Sequence, residues 1–218
     1  MIGLSLGRHR SSPVQILCLG AHSDDIEIGC GGTLLRLIRQ YPGCILHWVV
    51  FSTNPVRAAE ARRAAELFAR GAQLREPLLR EFQDGFMPFV GAEVKTVFEE
   101  LKEVVSPDLI LTTRRNDAHQ DHRFIAELTW NTFRDHLILE YEIPKYDGDM
   151  GQPSLFVPLE SDIYRQKVQY IMEAFKSQHH KKWFEEATFL SLMRLRGMEC
   201  NAPSGYAEAF YARKVVLD

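Results

Sequence analysis

Short apolar runs alternate with helix-forming segments over the first 136 residues of the chain. The runs are continuously apolar, which is typical of strands that are buried on both faces of a parallel sheet. This strand–helix alternation predicts an α/β, Rossmann-like fold in which helices flank a mostly parallel sheet. The predicted strands are residues 14–21, 44–51, 77–79 and 108–113, and the predicted helices are 33–40, 56–70, 91–105 and 123–136.

The pattern changes after residue 136, where Pro and Gly punctuate the sequence. We expect the C-terminal strands and helices to extend the sheet and to wall off a pocket, so that residues 1–218 form a single domain. In this C-terminal region the predicted strands are 137–143, 154–158 and 209–217, and the predicted helices are 162–176 and 183–194.

Charge and composition exclude several classes of protein. Lys and Arg number 26 against 29 Asp and Glu, so no basic surface indicates a nucleic-acid partner. No apolar run approaches the roughly 20 residues of a membrane-spanning helix, and residues 1–10 lack the apolar core of a secretory signal. The four cysteines form no C-x-x-C pair, which favours a reducing, cytoplasmic location.

Two clusters of His and Asp follow two of the predicted strands. Residues 21–27 read Ala-His-Ser-Asp-Asp-Ile-Glu, and residues 119–122 read His-Gln-Asp-His. Open α/β sheets bind their ligands at the carboxyl ends of the strands, so both clusters are expected to meet at one edge of the sheet. Imidazole nitrogen and carboxylate oxygen are zinc ligands, and the clusters therefore predict one metal site.

A catalytic zinc site needs three protein ligands and one open position. His22 and Asp25 are three residues apart, which places both side chains on one side of a helical turn. His122 is the third candidate ligand. Taken singly, each residue has a structural alternative, since a histidine at a strand end is more often simply packed and adjacent aspartates often cap a helix. The coincidence of two clusters after two buried strands favours the metal site.

Three further residues of the clusters remain for catalysis. Asp24 lies between two ligands and does not share their direction, so it is left free to accept a proton. Asp121 stands near His119, and a carboxylate beside an imidazole fixes its tautomer and supports its protonated form. This arrangement suits His119 to stabilise a developing oxyanion or to protonate a leaving amine.

The segment 21–33 resembles the Ala-His-Pro-Asp-Asp-x-Glu…Gly-Gly signature of the PIG-L/LmbE-like zinc-dependent N-acetylglucosaminyl deacetylases. The motif at 119–122 resembles the second motif of that family, His-x-Asp-His. The resemblance implies zinc, or another divalent ion such as Fe²⁺, and implies the same roles for the residues. Ser23 stands where the family usually has proline, a change that removes no catalytic group. The implied ligands are His22, Asp25 and His122, and the implied catalytic residues are Asp24, His119 and Asp121.

Two other segments are similar to family positions that contact substrate. Residues 57–60 match an Arg-x-x-Glu element, and residues 82–85 end in an Asp-Gly element. Arg57 and Asp84 are therefore candidate contacts for sugar hydroxyls or a phosphate. The alternatives are an exposed helix charge for Arg57 and a turn-forming role for Asp84.

The sequence thus predicts a zinc-dependent hydrolase that removes an acetyl group from an N-acetylated amino sugar or glycoconjugate. One alternative keeps the metal but cleaves a different amide or a thiol-conjugate amide. Another is a non-catalytic Rossmann-type nucleotide-binding module, although the chain has no G-x-G-x-x-G fingerprint. A homo-oligomer is compatible with the sequence, which identifies neither the oligomeric state nor the exact substrate.

Overall fold

The computed structural model describes residues 12–216. Residues 1–10, examined above for a secretory signal, and residue 217 of the last predicted strand lie outside the described part. The strands are β1 (Gln15–His22), β2 (Ile45–Ser52), β3 (Gln73–Leu74), β4 (Leu78–Leu79), β5 (Leu109–Thr112), β6 (Ile138–Tyr141), β7 (Leu155–Pro158) and β8 (Ala207–Ala212). The helices are α1 (Asp25–Gln40), α2 (Pro55–Phe68), α3 (Gly91–Val104), α4 (Gln120–Thr132), α5 (Ser161–Ala174) and α6 (Glu186–Glu199), with 3-10 turns at Met87–Val90 and Lys176–Gln178.

All the strands of the described chain belong to one sheet, in the order β3-β2-β1-β5-β6-β8-β7, with β4 also paired to β2. The pairings from β3 to β6 are parallel, and β8 runs antiparallel to both β6 and β7. The predicted α/β class with a mostly parallel sheet is therefore confirmed. As expected, the C-terminal strands extend that sheet.

Two apolar layers cover the two faces of the sheet. On β1, Ile16 and Cys18 belong to the larger cluster, which includes residues of α1, α2 and α5. The neighbouring Leu17 and Leu19 belong to the second cluster, which includes residues of α3 and α4. Successive side chains of a strand point to opposite faces, so a strand covered on both sides must be apolar at every position. This requirement explains the continuous apolar runs of the sequence.

Helix α1 begins at Asp25, so the prediction that this helix starts near residue 33 was wrong. The glycines before residue 33 do not form a loop. They lie inside the helix, where a Cβ atom would overlap a neighbouring side chain: the ring of Tyr141 at Gly29 and the ring of Phe68 at Gly31. Glycine is required here because other elements approach the helix closely.

A buried ion pair contacts the middle of α1. Lys167 Nζ lies 2.6 Å from Glu208 Oε1 and donates to the carbonyl oxygen of Ile28 at 2.6 Å. Glu208 accepts the N–H groups of Gly32, at 2.8 Å, and Thr33, at 2.6 Å. In a regular α-helix the N–H of residue 32 donates to the carbonyl of residue 28. Each of these two groups has a charged side-chain partner here, which ties α1 to α5 and β8.

Other boundaries differ from the predictions by a few residues. Strand β3 was not predicted, because two residues are too short for a periodic signal. Helix α4 begins earlier than predicted, since His119 occupies its N-cap position. Helix α4 also ends earlier than predicted, at Thr132 rather than at residue 136. Helix α6 covers 186–199, β8 covers 207–212, and the other predicted ends lie within two residues of the observed ones. No helix within the described range 12–216 has the length and apolar character needed to cross a membrane.

Candidate active site

The two predicted clusters meet at the carboxyl ends of adjacent strands. His22 is the last residue of β1, Asp25 begins α1, and His122 lies in the first turn of α4, which follows β5. Since β1 and β5 pair in parallel, the segments that leave them lie side by side. His22 Nδ1 lies 3.1 Å from His122 Nε2. The Oδ2 atom of Asp25 lies 3.5 Å from the former and 3.4 Å from the latter.

This triangle of donor atoms has the dimensions of a tetrahedral zinc site. Zinc binds nitrogen and oxygen at about 2.0–2.1 Å, which places tetrahedral ligands about 3.3–3.4 Å apart. The observed separations of 3.1–3.5 Å match that value. His22 also belongs to two further groups of possible ligands, each with one ligand atom per residue and these atoms within 4.8 Å of one another. One group is His22, His119 and His122, and the other is His22, Asp84, His119 and Asp121.

Each histidine of the triangle turns its second ring nitrogen toward a carboxylate. His22 Nε2 lies 3.0 Å from Asp84 Oδ1 and 3.4 Å from Asp121 Oδ2. His122 Nδ1 lies 3.1 Å from Asp117 Oδ2. A carboxylate behind a ligating imidazole fixes the tautomer and orientation of the ring and increases its basicity. The donor set and its surroundings therefore fit a divalent metal ion.

The charges of the site also favour a bound cation. Burial opposes protonation of His22, but the carboxylates of Asp25, Asp121 and Asp84 prevail and raise its pKa well above the usual range. The same competition, led by Asp25, raises the pKa of His122 to about 9. Burial opposes ionisation of Asp25, yet His122 and His22 hold its pKa well below the ordinary value. The protons held by the two histidines offset an excess of negative charge, and metal binding would release them.

Asp24, the expected general base, contacts an arginine of α2. It occupies the N-cap position of α1 without a side-chain capping bond, so the capping alternative does not describe it. Its Oδ2 lies 2.9 Å from Arg57 Nη2. Arg57 Nη1 lies 2.7 Å from Glu60, which accepts the N–H of Ser177 at 2.7 Å. Arg57, a candidate substrate contact, therefore also contacts the predicted base.

His119 caps helix α4 with its own ring. The Nδ1 atom accepts the N–H of Asp121 at 3.3 Å, which leaves the ring proton on Nε2. Burial lowers the pKa of His119, and the neighbouring His122 and His22 lower it further. This differs from the expectation of a supported imidazolium. A neutral ring with a proton on Nε2 is suited to donate a hydrogen bond to an oxyanion.

The carboxylate of Asp121 was expected behind His119 but lies behind His22. It accepts the N–H groups of Gly85, at 2.6 Å, and Met87, at 3.2 Å. The N–H of Asp121 donates to the ring of His119, and one carboxylate oxygen lies within 4.8 Å of a nitrogen of that ring. The reason is the helical start of α4, which turns the side chain of residue 121 toward the segment after β4.

Asp84 is the predicted site residue that is most open to solvent. Its side chain is 72% exposed, while one oxygen reaches His22. The hydrogen bond with His22 is the main reason that the pKa of Asp84 lies below its ordinary value. Asp84 can therefore contact both the centre and a molecule that enters from solvent.

A Rossmann-like sheet with His and Asp ligands at the carboxyl ends of adjacent strands defines an α/β protein with a candidate catalytic metal centre. The family model described as PIG-L: GlcNAc-PI de-N-acetylase matches residues 17–133, more than half of the chain. The chain belongs to the PIG-L family, and the resemblance stated from its two motifs is confirmed. It is 28% identical to the uncharacterized deacetylase YaiS of Escherichia coli K12 over 142 residues, which cover 59% of this chain and 74% of that protein.

Solved structures share the fold along nearly the whole chain. The conserved protein TT1542 of Thermus thermophilus matches with a TM-score of 0.75 at 21% identity, covering 94% of this chain and 97% of that one. The N,N'-diacetylchitobiose deacetylase of Pyrococcus horikoshii matches with a TM-score of 0.64 at 18% identity, covering 90% of this chain and 82% of that one. GalB of Pseudomonas putida KT2440, a 4-carboxy-2-hydroxymuconate hydratase, matches with a TM-score of 0.73 at 16% identity, covering 94% of this chain and 98% of that one. At such identities the likeness shows the fold and leaves the reaction to be argued from the site.

Proposed function

We propose that this protein is a zinc-dependent hydrolase that removes an acetyl group from an N-acetylated amino sugar or glycoconjugate. The observation that carries the proposal is the donor triangle of His22, Asp25 and His122, whose separations suit tetrahedral zinc. Membership of the PIG-L family supports the same reaction. A bound zinc ion would polarise the acetamide carbonyl and make the attacking water more acidic.

Asp24 serves in this proposal as the general base. It is buried, directly precedes Asp25 of the donor triangle in the chain, and accepts the proton of the attacking water. Arg57 holds the carboxylate in place through their 2.9 Å contact. The proton then passes to the departing amine nitrogen, so the products are acetate and a free amine. General acid–base catalysis of this kind contributes about 10²–10⁴-fold to the rate.

His119 serves as the oxyanion donor. Its Nδ1 is occupied by a backbone N–H, and its Nε2 proton is available for the carbonyl oxygen. Asp121 supports the site from behind His22, as its carboxylate contacts that ring and two backbone N–H groups. The helix that begins beside His119 disfavours a positive charge on this ring, which agrees with its lowered pKa.

Asp84 is the proposed contact for sugar hydroxyl groups, because its exposed carboxylate lies next to the centre. Arg57 is assigned to the base instead of the sugar, because its guanidinium contacts Asp24 and Glu60. A contact with sugar hydroxyl groups is common to many N-acetylated sugars. The group attached to the sugar is therefore identified by the substrate panel of the following experiment.

The test is acetate release by the zinc-loaded protein from N-acetylglucosamine that is free, nucleotide-linked, glycosidic or lipid-linked. Asp24→Asn is run beside it as the matched catalytic control. Zinc-dependent acetate that the variant does not release would support the proposal, and the preferred derivative would name the substrate class. Bound zinc without acetate from any derivative would favour another amide or a thiol-conjugate amide. Failure to bind zinc would contradict the proposal.

A further inference from the structure

Behind His122 lies a charged cluster that neither motif predicts: Asp117, Lys145 and Asp149. We propose that Lys145 and Asp149 hold Asp117 against His122, and that this cluster sets the affinity of the site for its metal ion. The inference rests on the proposed metal centre. It gives a positioning role to residues outside the donor triangle.

Asp117 is buried, with 3% of its side chain exposed, and both of its oxygens are engaged. Oδ1 accepts the N–H of His119 at 2.8 Å. Oδ2 lies 3.1 Å from His122 Nδ1 and accepts from Lys145 Nζ at 2.9 Å. The carboxylate therefore lies between the ring of His122, which belongs to the donor triangle, and an ammonium group from a different loop.

Lys145 comes from the segment after β6, 28 residues beyond Asp117. Its Nζ contacts both oxygens of Asp149, at 2.7 and 2.8 Å, in addition to Asp117. Asp149 in turn accepts the N–H of Ala118 at 2.6 Å, so the cluster closes back onto the segment that carries the motif. One ammonium thus bridges the two carboxylates, and Arg114 Nη2, 3.4 Å from Asp149 Oδ2, is a second cation of the cluster.

This arrangement limits the movement of His122. A ring whose far nitrogen faces a fixed carboxylate keeps one tautomer and one orientation, so its near nitrogen is already aimed at the metal. Partners of this kind typically change metal affinity by about 10–100-fold when they are mutated. His22 has an equivalent carboxylate in Asp121, but there the anchors are backbone N–H groups. On the His122 side, one anchor of the carboxylate is instead a side chain, the ammonium group of Lys145.

The experiment measures the affinity for Zn²⁺ by competition with a chromophoric chelator. The variants are Asp117→Asn and Lys145→Met, with Lys102→Met as the matched control, because the Lys102 side chain is 52% exposed and lies on α3. We expect Asp117→Asn to weaken zinc binding about 10–100-fold and Lys145→Met to weaken it less. Lys102→Met should keep the wild-type affinity. The absorption spectrum of the Co²⁺-loaded protein should change in the first two variants, since it reports the ligand geometry.

Wild-type affinity in a folded Asp117→Asn protein would overturn the inference and leave the proposed function standing. If that variant does not fold, Lys145→Met decides: unchanged affinity and an unchanged cobalt spectrum would overturn the inference. A purely structural role predicts lower thermal stability with unaltered zinc affinity, which is also a refutation. Failure of the wild-type protein to bind zinc would instead remove the proposed metal centre itself, and this inference with it.

Discussion

Lys167→Met should strongly destabilise the protein although the residue lies outside the donor triangle. The Lys167 side chain is 2% exposed and its ammonium contacts Glu208 and the carbonyl of Ile28. The substitution keeps the length and the apolar stem but removes the charge. It leaves a buried carboxylate with two backbone N–H groups and no counter-ion, and a carbonyl of α1 without its side-chain donor.

Removing one partner of a buried ion pair costs about 3–5 kcal/mol, because the other charge stays buried without compensation. A natural domain is stable by about 5–15 kcal/mol, so the loss is a large part of the total. The double variant Lys167→Met/Glu208→Leu removes both charges, so neither is left buried without its partner. We expect its loss of stability to be about 0.5–3 kcal/mol smaller than the sum of the two single losses, which is the range of coupling between contacting residues.

The assay is urea unfolding followed by circular dichroism, with EDTA present so that metal binding does not contribute. Glu208→Leu is measured as the other single variant of the cycle. A loss below about 1 kcal/mol for Lys167→Met, or strictly additive single effects, would refute the claim that the pair fastens the middle of α1.

The remaining predictions concern the site and the packing of α1. Asp24→Asn should lower kcat by about 10²–10⁴-fold while the protein still binds zinc, and steady-state kinetics with zinc analysis of the same sample would check both. Chelation should abolish acetate release and lower the melting temperature, and added zinc at 100 times its Kd should restore about 2.7 kcal/mol of stability. Gly29→Ala should cost about 1–3 kcal/mol in urea unfolding, because its Cβ would overlap the Tyr141 ring. Gly91→Ala, whose Cβ would meet only the end of the Phe124 ring, should cost less.

The strands and the meeting of the two motifs could be predicted because their causes are local. A strand covered on both faces has to be apolar throughout, and a motif that directly follows such a strand has to lie at the edge of the sheet. The start of α1 could not be predicted in this way. Gly29 and Gly31 indicate a loop when only their neighbours in sequence are considered, whereas their reason lies in Tyr141 and Phe68, which are distant in the chain.

Among the residues that support the centre, some have a signal in the local sequence and others do not. Asp117 stands two positions before His119, so a carboxylate beside the second motif was a signal that could have been used. Lys145 offered no such signal, because its link to Asp117 exists only through the loop after β6. The contact of Arg57 with Asp24 likewise joins two different strand ends, and spacing in the sequence does not report it.

The attachment of Asp121 to the backbone after β4 has a consequence for how such an enzyme diversifies. The segment that presents Asp84 to solvent also supplies, through residues 85 and 87, the two N–H groups that hold the carboxylate behind His22. Substitutions of the exposed Asp84 keep those donors, whereas a proline at position 85 or 87 would delete one of them. A segment grafted from a relative would therefore keep the site only if its main chain follows the same path. Exposed side chains that select the substrate can change in this segment, but its backbone conformation cannot.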